Sequence, residues 1–317
     1  MEEFLTPEDL HASLQADALA GLIAASKQLP PKYFYDDHGS RLFEEITRLP
    51  EYYPTRAEHA LLTRYADDIA RDAGANVLLE LGSGSSEKTR LLLDVMDGAG
   101  TLKGYVPVDV SSGALREATT ALAYERPGLA IQPVVADIDR HLDLLPAPGT
   151  RLVAFLGSTI GNYPPEQRRR FLAHLSDAMN PGEVLLLGLD LVKEPARLVA
   201  AYDDPAGVTA EFNRNVLQVL NRELDADFEP RKFTHLARWD PDEEWIEMRL
   251  RASEPMSVHV AALNLDVEFR RDEEIRTETS TKFRRPRIAA ELENAGLRLE
   301  QWWTDTDEDY ALALARR

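Results

Sequence analysis

The pattern Glu80-x-Gly82-x-Gly84, with Asp109 ending the next apolar run, is the part of this sequence whose residue types and spacing bear most directly on chemistry. Val77 to Leu81 is apolar apart from Glu80, as a buried parallel strand is. Gly82-Ser83-Gly84-Ser85-Ser86 follows as a small-residue turn, and Glu87–Met96 then has helical spacing in Leu91, Leu92 and Val95. Glycines let backbone approach a ligand, and a helix start offers unpaired N–H groups, so the three together suit a nucleotide-like molecule. The third glycine of the dinucleotide fingerprint is missing after Gly84, and no phosphate-loop frame fits around Lys88. The ligand therefore need not carry a phosphate. Asp109 stands where an α/β fold places the acid that accepts hydrogen bonds from ribose hydroxyls. A helix cap is the alternative role for it, although Ser111 or Ser112 can do that job.

Positioning these residues calls for strands alternating with helices. Glu58–Ala73 is expected as a helix, Gly104–Val110 as a strand, Ser112–Tyr124 as a helix and Ile131–Ala136 as a strand leading to Asp137 and Ile138. Leu152–Leu156 is a further strand, running into Gly157-Ser158-Thr159-Ile160-Gly161-Asn162. Glu166–Met179 is an amphipathic helix and Glu183–Leu189 a fifth strand, so β/α alternation from about 77 to 192 argues a parallel doubly wound sheet. Arg287–Ala295 (helix), Leu297–Thr304 and Tyr310–Arg316 (strands) fit the same domain. Two stretches break the pattern. Residues 8–28 read as a helix, followed by the aromatic-rich stretch 31–56, whose prolines at 50 and 54 predict a rigid extended loop. Residues 193–281 read as a helix over Pro195–Leu224 followed by strand-like runs at Phe233–Trp239, Trp245–Ala252, Ser257–Phe269 and Glu274–Thr279, an α+β insertion.

Composition narrows the function classes. The 317 residues carry 36 Lys plus Arg against 55 Asp plus Glu, a formal charge of −19 that repels nucleic-acid backbones and anionic membranes alike. A small or cationic substrate is expected instead, with no nucleic acid and no membrane partner. The absence of cysteine excludes disulfides, a thiol nucleophile and thiolate metal sites. The acidic start MEEFLTPEDL lacks an apolar secretory core and no run is long enough to span a bilayer, so a cytoplasmic protein is expected.

The Glu80-x-Gly82-x-Gly84 arrangement resembles the first motif of S-adenosylmethionine (SAM)-dependent methyltransferases, whose ligand has a sulfonium and no phosphate. Five stretches together resemble one family, the L-histidine Nα-methyltransferases of ergothioneine biosynthesis: PKYFYDDHGSRLFEEITRLPEYYPTR (31–56), LELGSGSSEKTR (79–90), FLGSTIGN (155–162), AYDDPAGVTAEFNRNVL (201–217) and TETSTKFR (277–284). The resemblance implies a Rossmann-like α/β methyltransferase domain over 57–192 and 282–317. It also implies a substrate domain made from the N-terminal segment 1–56 and the α+β insertion 193–281, with a cleft between the two. It implies trimethylation of the α-amino group of histidine to hercynine, with SAM as donor, no metal, and a monomer acting on a free amino acid.

Residue by residue, the resemblance puts SAM contacts at Tyr52, Gly82, Lys88, Asp109, Asp137 and Ile138. Asn162 and Tyr202 match positions that hold the amino acid's α-amino and carboxylate end, and Glu278 and Ser280 the pair that hydrogen-bonds the imidazole. Tyr35 and Phe43 fall on aromatic positions near the transferring amine and Met248 on a pocket wall, with Tyr35, Asn162 and Tyr202 the expected catalytic set. Two departures are slight: Tyr33 replaces a more usual Trp, and Thr281 stands where the family can have Cys. Three rivals stay open: a SAM enzyme of the same architecture acting on another amino acid or amine, a SAM-binding sensor without catalysis, and an NAD(P)-dependent oxidoreductase.

Overall fold

Short apolar segments buried on both faces build the main sheet. The computed structural model describes residues 1–84, 86 and 88–317. Ser85 in the expected turn and Glu87 at the expected helix start lie outside them. In chain order the elements begin β1 (Glu2–Glu3), α1 (Pro7–Leu22), α2 (Asp37–Ile46), α3 (Tyr53–Ala73), β2 (Val77–Leu81), α4 (Thr89–Gly98), β3 (Gly104–Asp109) and α5 (Ser112–Glu125). Next come β4 (Ala130–Ile131), β5 (Val134–Val135), β6 (Arg151–Phe155), α6 (Pro165–Ala178), β7 (Val184–Asp190), α7 (Pro195–Tyr202) and α8 (Val208–Leu224). The chain ends with β8 (Phe233–Asp240), β9 (Trp245–Ala252), β10 (Met256–Val260), β11 (Leu265–Phe269), β12 (Glu274–Thr281), α9 (Arg285–Asn294), β13 (Arg298–Thr304) and β14 (Tyr310–Arg316). Contacts divide the chain into two compact units. One is Met1–Leu5, Pro54–Val192 and Lys282–Arg317, and the other is Thr6–Tyr53 and Lys193–Thr281.

The first unit is a nine-stranded sheet in the order β1-β5-β3-β2-β6-β7-β14-β13, with β4 also on β3. All pairs from β1 to β7 are parallel, and the β13–β14 hairpin closes the sheet antiparallel on β7. Strand alternation sends Val77, Leu79 and Leu81 to one face with Phe171, Leu172 and Leu292. Leu78, Leu152 and Leu186 go to the other face with Leu61, Leu62, Leu92 and Leu93. Helices therefore cover both faces, as an α/β doubly wound sheet requires. No helix among the described residues is long and apolar enough to cross a membrane.

The second unit joins the antiparallel sheet β12-β9-β8 and the hairpin β10–β11 to α1, α2, α7 and α8. One core runs through it, from Leu14 and Leu22 through Phe34, Phe212 and Leu220 to Leu250 and Ile275.

Local chemistry corrects several element boundaries. The helix expected over Pro195–Leu224 is two, because Asp204 accepts the N–H groups of Val208 (3.0 Å) and Thr209 (2.8 Å) and starts a new helix after Gly207. Ile131–Ala136 is interrupted at Gln132-Pro133 into β4 and β5, since proline cannot donate to a ladder. Ser257–Phe269 is a hairpin rather than one strand, turning through Ala261–Leu263 and the left-handed Asn264. The expected extended loop at 50–54 ends earlier: Tyr53 opens α3, with Pro54 in the first turn, where its missing N–H costs nothing.

Candidate active-site residues

In the first unit β2 hands over to a turn in which Gly82 and Gly84 have positive φ (67° and 47°), open to glycine at little cost. A Cβ at either would meet nothing within 4 Å, so conformation rather than crowding calls for glycine. The N–H groups of Gly82 and Ser83 donate to Val108 O (2.8 and 3.1 Å) and that of Gly84 to Asp109 Oδ2 (2.9 Å), which welds the turn to β3. The other Asp109 oxygen accepts Ser111 N–H at 2.9 Å. Ser111 caps α5, its Oγ accepting Ala114 N–H at 3.2 Å, so Asp109 is not the cap. A carboxylate oxygen has two lone pairs, and Asp109 keeps acceptor capacity for a diol. Burial lifts its carboxyl above the usual range, against the N–H groups of Ser111, Gly84 and Val110. In the same turn Ser83 Oγ is buried without a hydrogen-bond partner among the described residues. Such an atom is costly unless a ligand completes it.

Glu80 braces this turn from beneath. It accepts from Thr89 Oγ1, at the start of α4, and from the Tyr105 hydroxyl, which also lies 2.8 Å from Ser86 Oγ. Burial pushes its carboxyl up to about 7, against those two hydrogen bonds and the nearby Lys88 charge. Asp137 follows β5, with Oδ1 accepting Asp139 N–H at 2.9 Å, and Ile138 beside it is half-buried on the core. After β6 the chain passes through Gly157 (φ 73°) and Ser158 (φ 58°) into the short helix Thr159–Asn162. A left-handed serine is strained, and Ser158 is held there by its Oγ, which accepts Asp190 N–H at 3.0 Å. Lys88 is ion-paired with the buried Glu58 of α3.

The second unit assembles its residues through aromatic edges. Tyr35 meets Phe43 (ring centroids 5.6 Å, 75°), Phe43 meets Tyr52 (6.1 Å, 80°) and Tyr52 meets Tyr202 (6.3 Å, 67°). The Tyr202 hydroxyl then hydrogen-bonds Ser280 Oγ at 2.8 Å. Five residues singled out by sequence thus form one continuous run, and Phe212 of α8 backs it against both Tyr35 (5.5 Å) and Phe43 (5.9 Å). Met248 and Glu278 are register partners on β9 and β12, just past a bulge that leaves Thr277 unpaired. Glu278 is half-buried and Ser280 buried, and regular pairing from 278 to 281 keeps both on one side of the strand.

A buried network fixes this set from behind. His235 Nε2 donates to Tyr202 O (2.8 Å), so its Nδ1 accepts Asn213 Nδ2 (2.8 Å). Asn213 also donates to Arg249 O (3.1 Å) and accepts Thr277 Oγ1 (2.6 Å). Burial holds the His235 imidazole below its usual pKa, against its bond to Tyr202 O and the Asp203 charge.

Within units, then, Asp109 at the end of β3 is bonded to the turn that holds Gly82, while Tyr35, Phe43, Tyr52, Tyr202 and Ser280 share one contact run. Asn162 belongs to the first unit, and Tyr52, expected on the donor, packs in the second among residues expected on the acceptor. Sequence reading passed over Glu58, Phe212, Asn213 and His235. Glu58 did leave a signal: a carboxylate three and four residues before Leu61 and Leu62, on the buried face of its helix.

The profile of a family described as histidine-specific, SAM-dependent methyltransferases matches residues 14–317. The histidine N-alpha-methyltransferase of Mycolicibacterium smegmatis is 54% identical over 100% of this chain and 99% of its own length. That of Mycobacterium tuberculosis is 52% identical over 97% and 96%. An L-tryptophan methyltransferase, trpM of Psilocybe serbica, is 26% identical over 96% and 92%. By profile and by full-length identity, the chain belongs to the SAM-dependent, histidine-specific methyltransferases.

Proposed function

We propose that this protein transfers three methyl groups from SAM to the α-amino nitrogen of L-histidine, forming hercynine at the start of ergothioneine biosynthesis. The contact run Tyr35–Phe43–Tyr52–Tyr202–Ser280, continued by Glu278 on the same strand, carries the reading. It offers apolar rings and aligned polar groups to one amphiphilic ligand of amino-acid size. The 54% and 52% identity to two histidine N-alpha-methyltransferases supports histidine as that ligand.

SAM supplies a methyl group on a sulfonium, which leaves as a neutral thioether when an amine attacks in line. The turn at Gly82 and Gly84, Asp109 and the Ser83 hydroxyl, which has no partner among the described residues, fit its nucleoside half, and Lys88 suits its carboxylate. Tyr52, Asp137 and Ile138 complete the proposed donor set. Asn162 and Tyr202 orient the α-amino and carboxylate end of histidine. Glu278 accepts an imidazole N–H and Ser280 serves the other ring nitrogen. The nucleophile is a free amine, whereas an α-ammonium titrates near pH 8 in peptides. Three protons therefore leave, one from the α-ammonium before the first transfer and one after each of the first two transfers, and Tyr35 takes each or passes it to water. Positioning contributes most of the rate, several kcal/mol by pre-ordering the reactants. The ring faces of Tyr35, Phe43 and Phe212 suit the permanent cation of the product.

An amine and a sulfonium need no Lewis acid, so the reaction is proposed to run without a metal, in a cytoplasmic monomer. Incubation with L-histidine and SAM should give products heavier by one, two and three methyl groups on mass spectrometry. No mass gain on histidine, with gain on another amino acid in an acceptor screen, would replace the substrate and keep the reaction class. Full activity after dialysis against a chelator, and a monomer mass by light scattering, test the remaining points.

A further inference from the structure

Glu58 is a carboxylate with no exposed surface, and four segments of the first unit converge on it. One oxygen accepts Gly157 N–H and the Tyr310 hydroxyl, both at 2.7 Å, and the other is paired with Lys88 Nζ. Gly157 opens the loop that ends in Asn162, Lys88 precedes α4 after the donor turn, and Tyr310 starts β14. The strand β7 makes room for it: a Cβ on Gly188 would lie 1.9 Å from Glu58 Oε1 and 2.7 Å from the Tyr310 hydroxyl. A buried carboxylate is expensive unless hydrogen bonds and a counter-charge complete it, and here both do.

The geometry points to Glu58 as a positioning residue for donor binding: it fixes the Lys88 ammonium that meets the donor's carboxylate, and Gly188 is the space reserved for it. The assignment rests on the donor reading of Lys88 proposed above. SAM has a single anionic group, its carboxylate, and an ammonium is the complement for it. A lysine side chain is long and loses much rotamer freedom on binding. Anchoring Nζ on Glu58 settles part of that cost before the ligand arrives, and an ammonium has three N–H groups, so pairing with Glu58 does not exhaust it. The same carboxylate pins the Gly157 amide, so the cation and the loop carrying Asn162 share one reference point.

Two substitutions reach Glu58 from opposite sides. Glu58→Gln keeps an acceptor for Gly157 and Tyr310 but turns an uncharged amide toward Lys88. Gly188→Ala keeps the carboxylate but forces it out of its position sterically. Calorimetric titration uses two probes: S-adenosylhomocysteine, which has the donor's amino-acid half, and methylthioadenosine, which lacks it. Both variants should bind S-adenosylhomocysteine about 10- to 100-fold more weakly, the loss of one charge-assisted contact, and methylthioadenosine as the parent does. Adding Glu58→Gln to Lys88→Met should cost nothing beyond Lys88→Met alone. Folded variants that bind both probes at parental affinity, or weaken both equally, overturn the assignment. The latter result marks Glu58 as a structural group only. If Lys88→Met binds S-adenosylhomocysteine at parental affinity, the donor reading of Lys88 fails, and the assignment with it. Should Glu58→Gln not fold, Gly188→Ala alone decides.

Discussion

In the first unit, in the set proposed to hold the donor, the backbone does most of the holding. Gly82, Ser83 and Gly84 are fastened by their own N–H groups to β3, and Asp109 is oriented by the amides of Gly84 and Ser111. In the second unit, in the set proposed to hold the acceptor, side chains hold side chains: rings from positions 35, 43, 52 and 202 touch in sequence, Tyr202 bonds Ser280, and Asn213, His235 and Thr277 brace them. A backbone-built site depends on a few residues of fixed type in one short stretch. A side-chain-built site draws on residues scattered over some 245 positions, and its specificity changes with any of them. The 26% identity to an L-tryptophan methyltransferase over nearly the full chain fits that contrast, since one framework then accompanies different acceptors.

If the two proposed sets are energetically separate, one substitution in each should abolish one affinity and leave the other. Asp109→Ala has the largest expected effect. Loss of a charged acceptor for two hydroxyls costs about 3 kcal/mol or more, over 100-fold in affinity for S-adenosylhomocysteine, with the thermal midpoint nearly kept because Ser111 still caps α5. Parental affinity in calorimetry would remove Asp109 from the ribose. Glu278→Ala is the counterpart, smaller because Ser280 and the aromatic run remain. Histidine affinity should fall by about 2 kcal/mol and S-adenosylhomocysteine affinity should not move. Equal losses of both ligands would show that the two proposed sets are not separable.

The same contrast decides what could be read from sequence. Gly82, Gly84 and Asp109 were legible because a turn with positive φ admits few residue types and a strand end has a fixed place in a β/α repeat. The strands of the main sheet were legible from their apolar runs, including those that form β13 and β14. Tyr35 stood out only as one of many aromatics in 31–56, and the roles of Tyr35, Tyr202, Glu278 and Ser280 came through family resemblance; periodicity alone makes Glu278 a solvated residue on an edge strand. Asn213 and His235 escaped altogether, because a polar residue on a helix or strand reads as solvent-facing until its partners are known. The breaks in the expected helix over 195–224 and strand over 257–269 were missed because capping by Asp204 and a left-handed Asn264 outweighed the apolar pattern.

Titration sharpens the comparison, because the two units bury groups of opposite kind. Glu80 has its folded pKa raised, from 4.5 to about 7. The folded state therefore binds the proton more tightly, and Glu80's contribution to stability is complete below 4.5 and lost as pH rises through 7. Glu80→Gln, which stays neutral, should be more stable than the parent at pH 8 by about 1–2 kcal/mol and no more stable at pH 4.5. Thermal unfolding at the two pH values checks it, and a pH-independent difference would mean that Glu80 does not titrate in this range.

His235 gives the smallest effect and the opposite sign. Its folded pKa lies below the ordinary 6.5, so the unfolded chain binds the proton more readily, and its contribution is complete above 6.5 and lost as pH falls through the lowered value. The protonated ring would carry a hydrogen on both nitrogens, and the Asn213 amide could no longer donate to Nδ1. The strain should pass to Thr277 through Asn213 and to Tyr202 through its carbonyl, both of which flank the proposed histidine contacts. Amide exchange, corrected for its intrinsic pH dependence, should therefore show α8 and β12 opening more readily at pH 5 than at pH 7 in the parent. In His235→Gln that pH difference should vanish. If α8 and β12 are equally protected at both pH values in the parent, His235 is a packing group and the network behind Tyr202 is insensitive to protonation.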